Sequence, residues 1–387
     1  MRILHFCMNA PFTEHYSYQD NLLTEYQHKL GHEVRIVTTT RTRGANGNII
    51  QTKTGYKLLD NGVELVRLPF PGKIRRLFGK YKGLIEQMID YKPDFVFIHG
   101  LCSFVPEDVI QYKKKFNPLM HIVADNHQDE GTTKVDDFLT AYVMRIQKRK
   151  WTNWIQDVDK VYGTTSWRVS FAQKYYGIPK EKLDVLIMGI DSDRIPNKNI
   201  PWCKETREKF QISKNGFTFI SGGKLDNNKK IIESIKAFSK IKNEACFFLI
   251  FGSVLDDIKA EFSTLVENDN RIRYIGYVDS DDVWKYFYAS DFGLFPGRHS
   301  VLWEEAIGCG LPCLFHRYEE KDHTEVCGNC ICIEQFDEDT IYRNMTKVLE
   351  NKEYYAQLKA NAEKASNEFS YHTIAEKSVE CCYEDKK

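Results

Sequence analysis

The chain has 387 residues, and its 54 Lys plus Arg are matched by 54 Asp plus Glu, giving a formal net charge of zero. That balance argues against a dedicated nucleic-acid binder, which carries a basic excess to neutralise phosphates. With 42% hydrophobic and 28% charged residues, the composition is globular rather than disordered or fibrous, and the length suits two or three domains.

The opening MRILHFCMNAPF reads as a first strand running into a loop, not as a signal peptide. Short β-rich runs then alternate with amphipathic patterns, the mark of parallel α/β layers. Strands are expected near Ile3–Phe6, Glu33–Thr38, Val63–Arg67, Asp94–Ile98, His121–Ala124 and Val161–Thr164. Helices are expected over Gln19–Leu30, Arg75–Ile89, Glu107–Lys115, Asp136–Lys150 and Trp167–Tyr175, so this half reads as one doubly wound sheet. Gly189–Trp202, with two Pro and little periodicity, is the linker candidate. A second alternation starts at Phe217–Ser221 and runs through Lys229–Ile241, Cys246–Phe251, Asp256–Val266, Ile272–Gly276, Asp281–Tyr288, Phe292–Phe295, Leu302–Cys309 and Pro312–His316. About the last fifty residues look helical. The longest apolar run, Ala245–Phe251, is far short of the roughly 20 residues that span a bilayer. Eleven Cys, an odd number spread over the chain, suit a reducing compartment, and the protein is expected in the cytoplasm.

The motifs narrow the chemistry. No G-x-G-x-x-G follows the first strand and no Walker pattern occurs, which removes the dehydrogenase and P-loop readings. The second half instead opens with Ser221-Gly222-Gly223-Lys224-Leu225-Asp226-Asn227-Asn228-Lys229-Lys230 after a strand. Paired Gly let a backbone approach a ligand, and two cations five residues apart can converge on one diphosphate; a solvated turn is the plainer reading of the same residues. Further on, PGRHSVLWEEAIGCGLP (296–312) reads as loop, helix, Gly stop and next strand. Backbone N–H groups at Ser300, Val301 and Leu302 make an anion site, and Glu305 is placed to accept hydrogen bonds from a sugar diol.

SGGKLDNNKK paired with PGRHSVLWEEAIGCGLPCL after ASDFGLFPG resembles the carboxyl-terminal half of a retaining GT-B glycosyltransferase of family 4. HFCMNAPF, KLGHEVRIVTT and YGIPKEKLDVLIMGID resemble its amino-terminal domain and crossover. The resemblance implies two Rossmann-like doubly wound domains facing across a cleft: residues 1–190 on the acceptor side, with 371–387 packing back on them, and 200–370 binding a nucleotide sugar. It implies a UDP-sugar as the expected donor, a glycan or lipid-linked acceptor in bacterial surface-polysaccharide assembly, retention of configuration, and no metal cofactor. Gly222 and Gly223 would approach the donor. Lys224, where the family has Arg, and Lys229 would stabilise the departing diphosphate. Ser300, Val301 and Leu302 would meet the phosphates, and Glu305, the second Glu of the family's E-x7-E, would hold the ribose. The first Glu is replaced by Gly297, and His299 is the expected substitute at the transferred sugar.

His127, after the strand His121–Ala124, sits where related enzymes place a sugar-contacting His; a locally satisfied His is the alternative. Tyr18, Asp20 and Asn21 follow the first strand and either line the acceptor site or, for Asp20, cap the next helix. Three Asp-x-Asp matches, at 157, 191 and 279, are close to the number chance gives, and Asp279 and Asp281 are expected to cap a helix. His323, Cys327, Cys330 and Cys332 offer zinc ligands, but Cys330 and Cys332 also read as same-face residues of a strand. Residues 73–85 pair an apolar stripe with five cations, so this helix either packs on the sheet or lies on an anionic membrane surface, the inner face of the cytoplasmic membrane. Two other classes share the layout: a non-hydrolysing UDP-sugar 2-epimerase and a non-catalytic partner subunit.

Overall fold

The computed structural model describes residues 1–44, 47–72, 81–195 and 202–384, which form two compact units. One is Met1–Ile187 together with the segment from Tyr371; the other is Met188–Ser370. The basic stretch 73–80, and 196–201 in the expected linker, lie outside the described residues.

The first unit is built on an eight-stranded sheet. Its strands are β1 (Arg2–Cys7), β2 (Glu33–Thr39), β5 (Gly55–Leu58), β6 (Glu64–Leu68), β7 (Phe95–His99), β8 (His121–Asn126), β9 (Lys160–Gly163) and β10 (Leu183–Val185), while β3 (Arg41–Arg43) and β4 (Ile49–Gln51) form a separate hairpin. The order is β10-β9-β8-β7-β1-β2-β6-β5, parallel except for β5. Sequence period and packing agree here. Leu4, Phe6, Val96 and Ile98 enter the core on one face, and the alternate residues Ile3, Phe95 and Phe97 enter the core on the other. Helix Gln19–Lys29 brings Leu23 and Tyr26 to that second face, where the helix Tyr371–Ser378 adds Tyr371, Ile374 and Ala375.

The second unit carries six parallel strands, β11 (Phe217–Leu225), β12 (Cys246–Val254), β13 (Ile272–Gly276), β14 (Phe292–Phe295), β15 (Cys313–His316) and β16 (Cys330–Ile333). Their order is β13-β12-β11-β14-β15-β16. Counted from its own first strand this is the 3-2-1-4-5-6 order of the doubly wound nucleotide-binding fold. Each unit therefore reverses direction once, between β1 and β7 in the first and between β11 and β14 in the second. Ligands in such sheets bind beyond the carboxyl ends of the strands at that reversal.

Several expected elements shift. β11 runs on through both glycines to Leu225, held by nine consecutive pairs with β12, so Lys224 lies on the strand and not in a turn. Asp279 and Asp281 do not cap by side chain: a 3-10 turn spans Ser280–Asp282, and Asp282 stands at the start of helix Val283–Tyr288. The expected helix Trp167–Tyr175 becomes Ser166–Phe171, capped by Thr165, followed by a wider turn over Ala172–Tyr176. Of the helix expected over Arg75–Ile89, the described part is Leu84–Tyr91. No described helix is long and apolar enough to cross a membrane.

Candidate functional site

At the reversal of the second unit, glycines bring the backbone together. A side chain on Gly222 would run into the Phe251 ring, and Gly223 holds φ +111° with its α-carbon turned toward Leu302. Beyond β11, Asp226 Oδ1 accepts the N–H groups of Asn228 and Lys229 at 3.0 and 3.1 Å, which fixes the turn that carries Lys229. The loop after β14 is stapled to that turn. Arg298 N donates to Asn228 O at 2.7 Å, and Lys229 Nζ donates to Arg298 O at 2.8 Å.

Gly297 explains the missing first Glu physically. A β-carbon at 297 would collide with the backbone of Asn228 and Lys229, so this loop conformation admits no side chain there. The contact places the Arg298 guanidinium close enough to act on Lys229, whose pKa is brought down to about 8 by burial and then by Arg298. Among the described residues, neither Lys224, Lys229 nor Arg298 forms an ion pair with a carboxylate. Lys224 is exposed.

His299, by contrast, is turned inward. Its Nε2 lies 2.8 Å from Glu304 Oε1, and His323 Nε2 meets the same oxygen at 2.8 Å. The Glu304 carboxylate is fully buried, with Oε2 making no hydrogen bond, and the Trp303 ring stands edge-on to His299. Burial alone would raise the Glu304 carboxyl, but the two imidazoles hold it at about 2. Glu305, one residue on, has no such partner: burial and the neighbouring Glu304 push it up to about 8. Ser300 Oγ is buried without a hydrogen-bond partner. Of the four residues that offer zinc ligands, His323 is thus engaged by Glu304 and Cys327 is exposed, while Cys330 and Cys332 meet at 3.7 Å on one face of β16.

The reversal of the first unit gathers His127 and Asp20 around two residues that the sequence reading did not single out. His99 ends β7 and Asp125 lies in β8, directly opposite it in register. His99 Nδ1 is 2.8 Å from Asp125 Oδ2, and His127 Nε2 is 3.1 Å from the same oxygen. Asp125 Oδ1 accepts Gly100 N–H at 2.8 Å. Asp20 Oδ1 stands 3.5 Å from His99 Nδ1, so its side chain faces this group, and Tyr18 rather than Asp20 occupies the cap position of the helix. Asn21 Nδ2 donates to Thr13 O at 3.0 Å, and Tyr18 is half exposed against the edge of Tyr16. Asp125 is entirely buried and His127 is 38% exposed, so the group reaches from core to surface. A usable signal did exist: a polar residue closing an apolar strand at its carboxyl end, twice, in adjacent strands.

His99, Asp125 and His127, and His299, Glu304 and His323, have the ligand types and spacing that could hold a metal ion. In both groups the carboxylate already faces imidazole nitrogens at hydrogen-bond distance.

Residues 21–194 match the family model described as glycosyltransferase family 4, and residues 204–365 match the model described as glycosyl transferases group 1. The sequence matches none of the curated proteins. Among solved structures, HepE from Anabaena in complex with UDP is similar with TM-score 0.68 and 13% identity over 99% of this chain and all of that one. WaaG, a glycosyltransferase involved in lipopolysaccharide biosynthesis, gives 0.58 and 17% over 98% of both chains. A putative UDP-N-acetylglucosamine 2-epimerase from Listeria monocytogenes gives 0.61 and 12% over 100% of this chain and 97% of that one. At these identities the likeness concerns the fold.

Proposed function

This chain is a GT-B glycosyltransferase, and on that premise we propose that it moves a sugar from a UDP-sugar to a glycan or lipid-linked acceptor with retention of configuration. The observation that carries the reading is the reversal of the second unit, where Lys229 is bonded to the backbone of Arg298, Lys224 is exposed on β11, and none of these three cations forms an ion pair with a carboxylate among the described residues. Such an arrangement fits a diphosphate. As the bond from the sugar's anomeric carbon to the β-phosphate oxygen breaks, negative charge grows on the phosphate, and Lys224 and Lys229 stabilise it without calling on a metal. Ser300, Val301 and Leu302 offer backbone N–H groups to the phosphates, and Glu305 holds the ribose hydroxyls. In the first unit His127 contacts the transferred sugar, with Tyr18, Asp20 and Asn21 serving the acceptor. Retention follows from front-face attack, in which the leaving phosphate takes the acceptor's proton. His299, bonded to Glu304 beneath the loop, supports the loop rather than touching the sugar. The setting is bacterial surface-polysaccharide assembly at the inner face of the cytoplasmic membrane, which the solved WaaG and the resemblance of the ordered motifs support.

The test is a thermal-shift and calorimetric comparison of UDP, other nucleotide diphosphates and their sugars on the full chain. A ligand that binds only the native state raises the midpoint. UDP is expected to raise it; no shift with any nucleotide diphosphate would sink the donor site. The fold of the Listeria protein keeps an epimerase in view: incubation with UDP-N-acetylglucosamine and no acceptor is expected to leave that sugar unepimerised. Transfer or donor hydrolysis that disappears in Lys229→Ala would set aside a non-catalytic subunit.

A further inference from the structure

The residues closing the reversal of the first unit form one hydrogen-bonded chain, and its donors and acceptors can be assigned in turn. Gln27 Nε2 donates to Ser378 Oγ at 2.8 Å, which turns Gln27 Oε1 toward His5. An amide oxygen only accepts, so His5 Nε2, 2.6 Å away, carries a proton. His5 Nδ1 and His99 Nε2 face each other at 2.9 Å, so only one of those nitrogens is protonated. On the far side, Asp125 receives an N–H on Oδ1 from Gly100 and imidazole nitrogens on Oδ2, the pattern of a carboxylate. His99 Nδ1 is therefore a donor as well.

Two arrangements satisfy these bonds: the extra proton sits on His5 or on His99. Position decides between them. His99 lies 2.8 Å from the Asp125 carboxylate and 3.5 Å from Asp20, whereas His5 is hydrogen-bonded to His99 and the Gln27 amide and stacks on Phe97, with no carboxylate at hydrogen-bond distance. A charge in a buried site is tolerated next to its counter-charge and not one ring away from it. Burial, with His99 adding to it, brings the His5 pKa down to about 3. For His99 burial acts the same way, and it is opposed by the Asp125 and Asp20 carboxylates on two neighbouring elements. The Cys7 thiol is pushed up to about 12 by burial and stays neutral.

We propose that His99 is a resident buried imidazolium, paired with Asp125, whose role is to keep that carboxylate ionised so that His127 holds Nε2–H inward and presents Nδ1 outward. His99 is thus a positioning residue, and its functional part rests on the reading of His127 as the sugar-facing residue. With Nε2–H fixed on Asp125, neutral His127 can offer only a lone pair to its ligand, which selects a hydroxyl donor.

The experiment is nitrogen-15 NMR of the histidine rings in the full chain from about pH 6 to about pH 9, where an ordinary imidazole loses its charge. Both His99 nitrogens are expected to stay protonated after an ordinary imidazole has lost its charge, and His127 to show the Nε2–H tautomer. A His99 ring with one bare nitrogen at neutral pH overturns the proposal, and this reading needs no variant to fold. His99→Gln adds the functional arm: kcat is expected to fall about 100-fold, the loss typical of a slightly misplaced reacting group, with donor KM unchanged and His127 in mixed tautomers. Unchanged kcat together with an unchanged His127 tautomer would also overturn it. Failure of UDP to bind the wild-type chain would strike the donor site and leave the ring assignments untouched.

Discussion

Two reversals of strand order, built on the same topology, hold opposite contents. In the first unit the charges answer one another: Asp125 lies between His99 and His127, and every step of the chain back to Ser378 is bonded. In the second, Lys229 is tied to the backbone of Arg298, and among the described residues neither cation is ion-paired with a carboxylate. The difference teaches where each site spends its free energy. A compensated cluster holds its own parts in place; an uncompensated one is completed by a ligand. Removing a charge should therefore cost folding stability at the first reversal and ligand affinity at the second.

The largest effect is expected for Asp125→Ala. It leaves a buried imidazolium without its counter-ion, a loss of about 3–5 kcal/mol for a broken buried pair. Urea unfolding with a probe in the first unit measures it, and a loss below about 1 kcal/mol would mean the cluster is not an ion pair.

Lys229→Ala is the counterpart. UDP affinity should fall about tenfold or more, the value of a hydrogen bond to a charged group, while stability falls by only about 1 kcal/mol, the worth of the bond from Lys229 Nζ to Arg298 O. Since Lys229 lies near about 8, raised pH should deprotonate it, so wild-type UDP affinity falls as pH rises through that value. The same pH step should do little to the variant. Equal pH dependence in calorimetric titrations of both proteins would break the contrast between the two sites.

Much of this was legible in the residues and some was not. Alternating apolar runs mark every central strand, because a strand buried on both faces must be apolar throughout, as Phe95–Ile98 is. The short edge strands β5 and β10 carry no such run and were missed; exposed Tyr56 and Leu58 have no core face to satisfy. SGGKLDNNKK and the Gly297 loop lie close together in the fold, yet why Gly stands at 297 depends on a backbone 68 residues earlier, which spacing does not disclose. His5, Gln27, His99, Asp125 and Ser378 are scattered over the first unit's chain and both its ends, so only the sheet register shows them as one group. His299 is a related case: Glu304, five residues on in a helix, turns it inward, a contact that spacing alone does not disclose.

The same contrast repeats at the scale of two neighbouring residues, and there the expected effect is smallest. Glu304 is compensated by His299 and His323 and held at about 2, while Glu305 is not and rises to about 8 from the ordinary 4.5. A carboxyl whose pKa is raised in the folded state supports folding fully below about 4.5, and that support is lost as pH climbs toward about 8. Glu305→Gln, neutral at every pH, should therefore match the wild type near pH 4.5 and become more stable than it as pH approaches about 8. Glu305 keeps part of its surface open to solvent, which reduces the gap to about 1–2 kcal/mol. Glu304→Gln should do the reverse, losing stability at neutral pH as two buried imidazoles are left without their carboxylate. Thermal midpoints of the two variants across this pH range check the pair together. Curves that move in the same direction would show that the adjacent carboxylates share one environment, and the distinction between compensated and uncompensated charge would not hold at this helix.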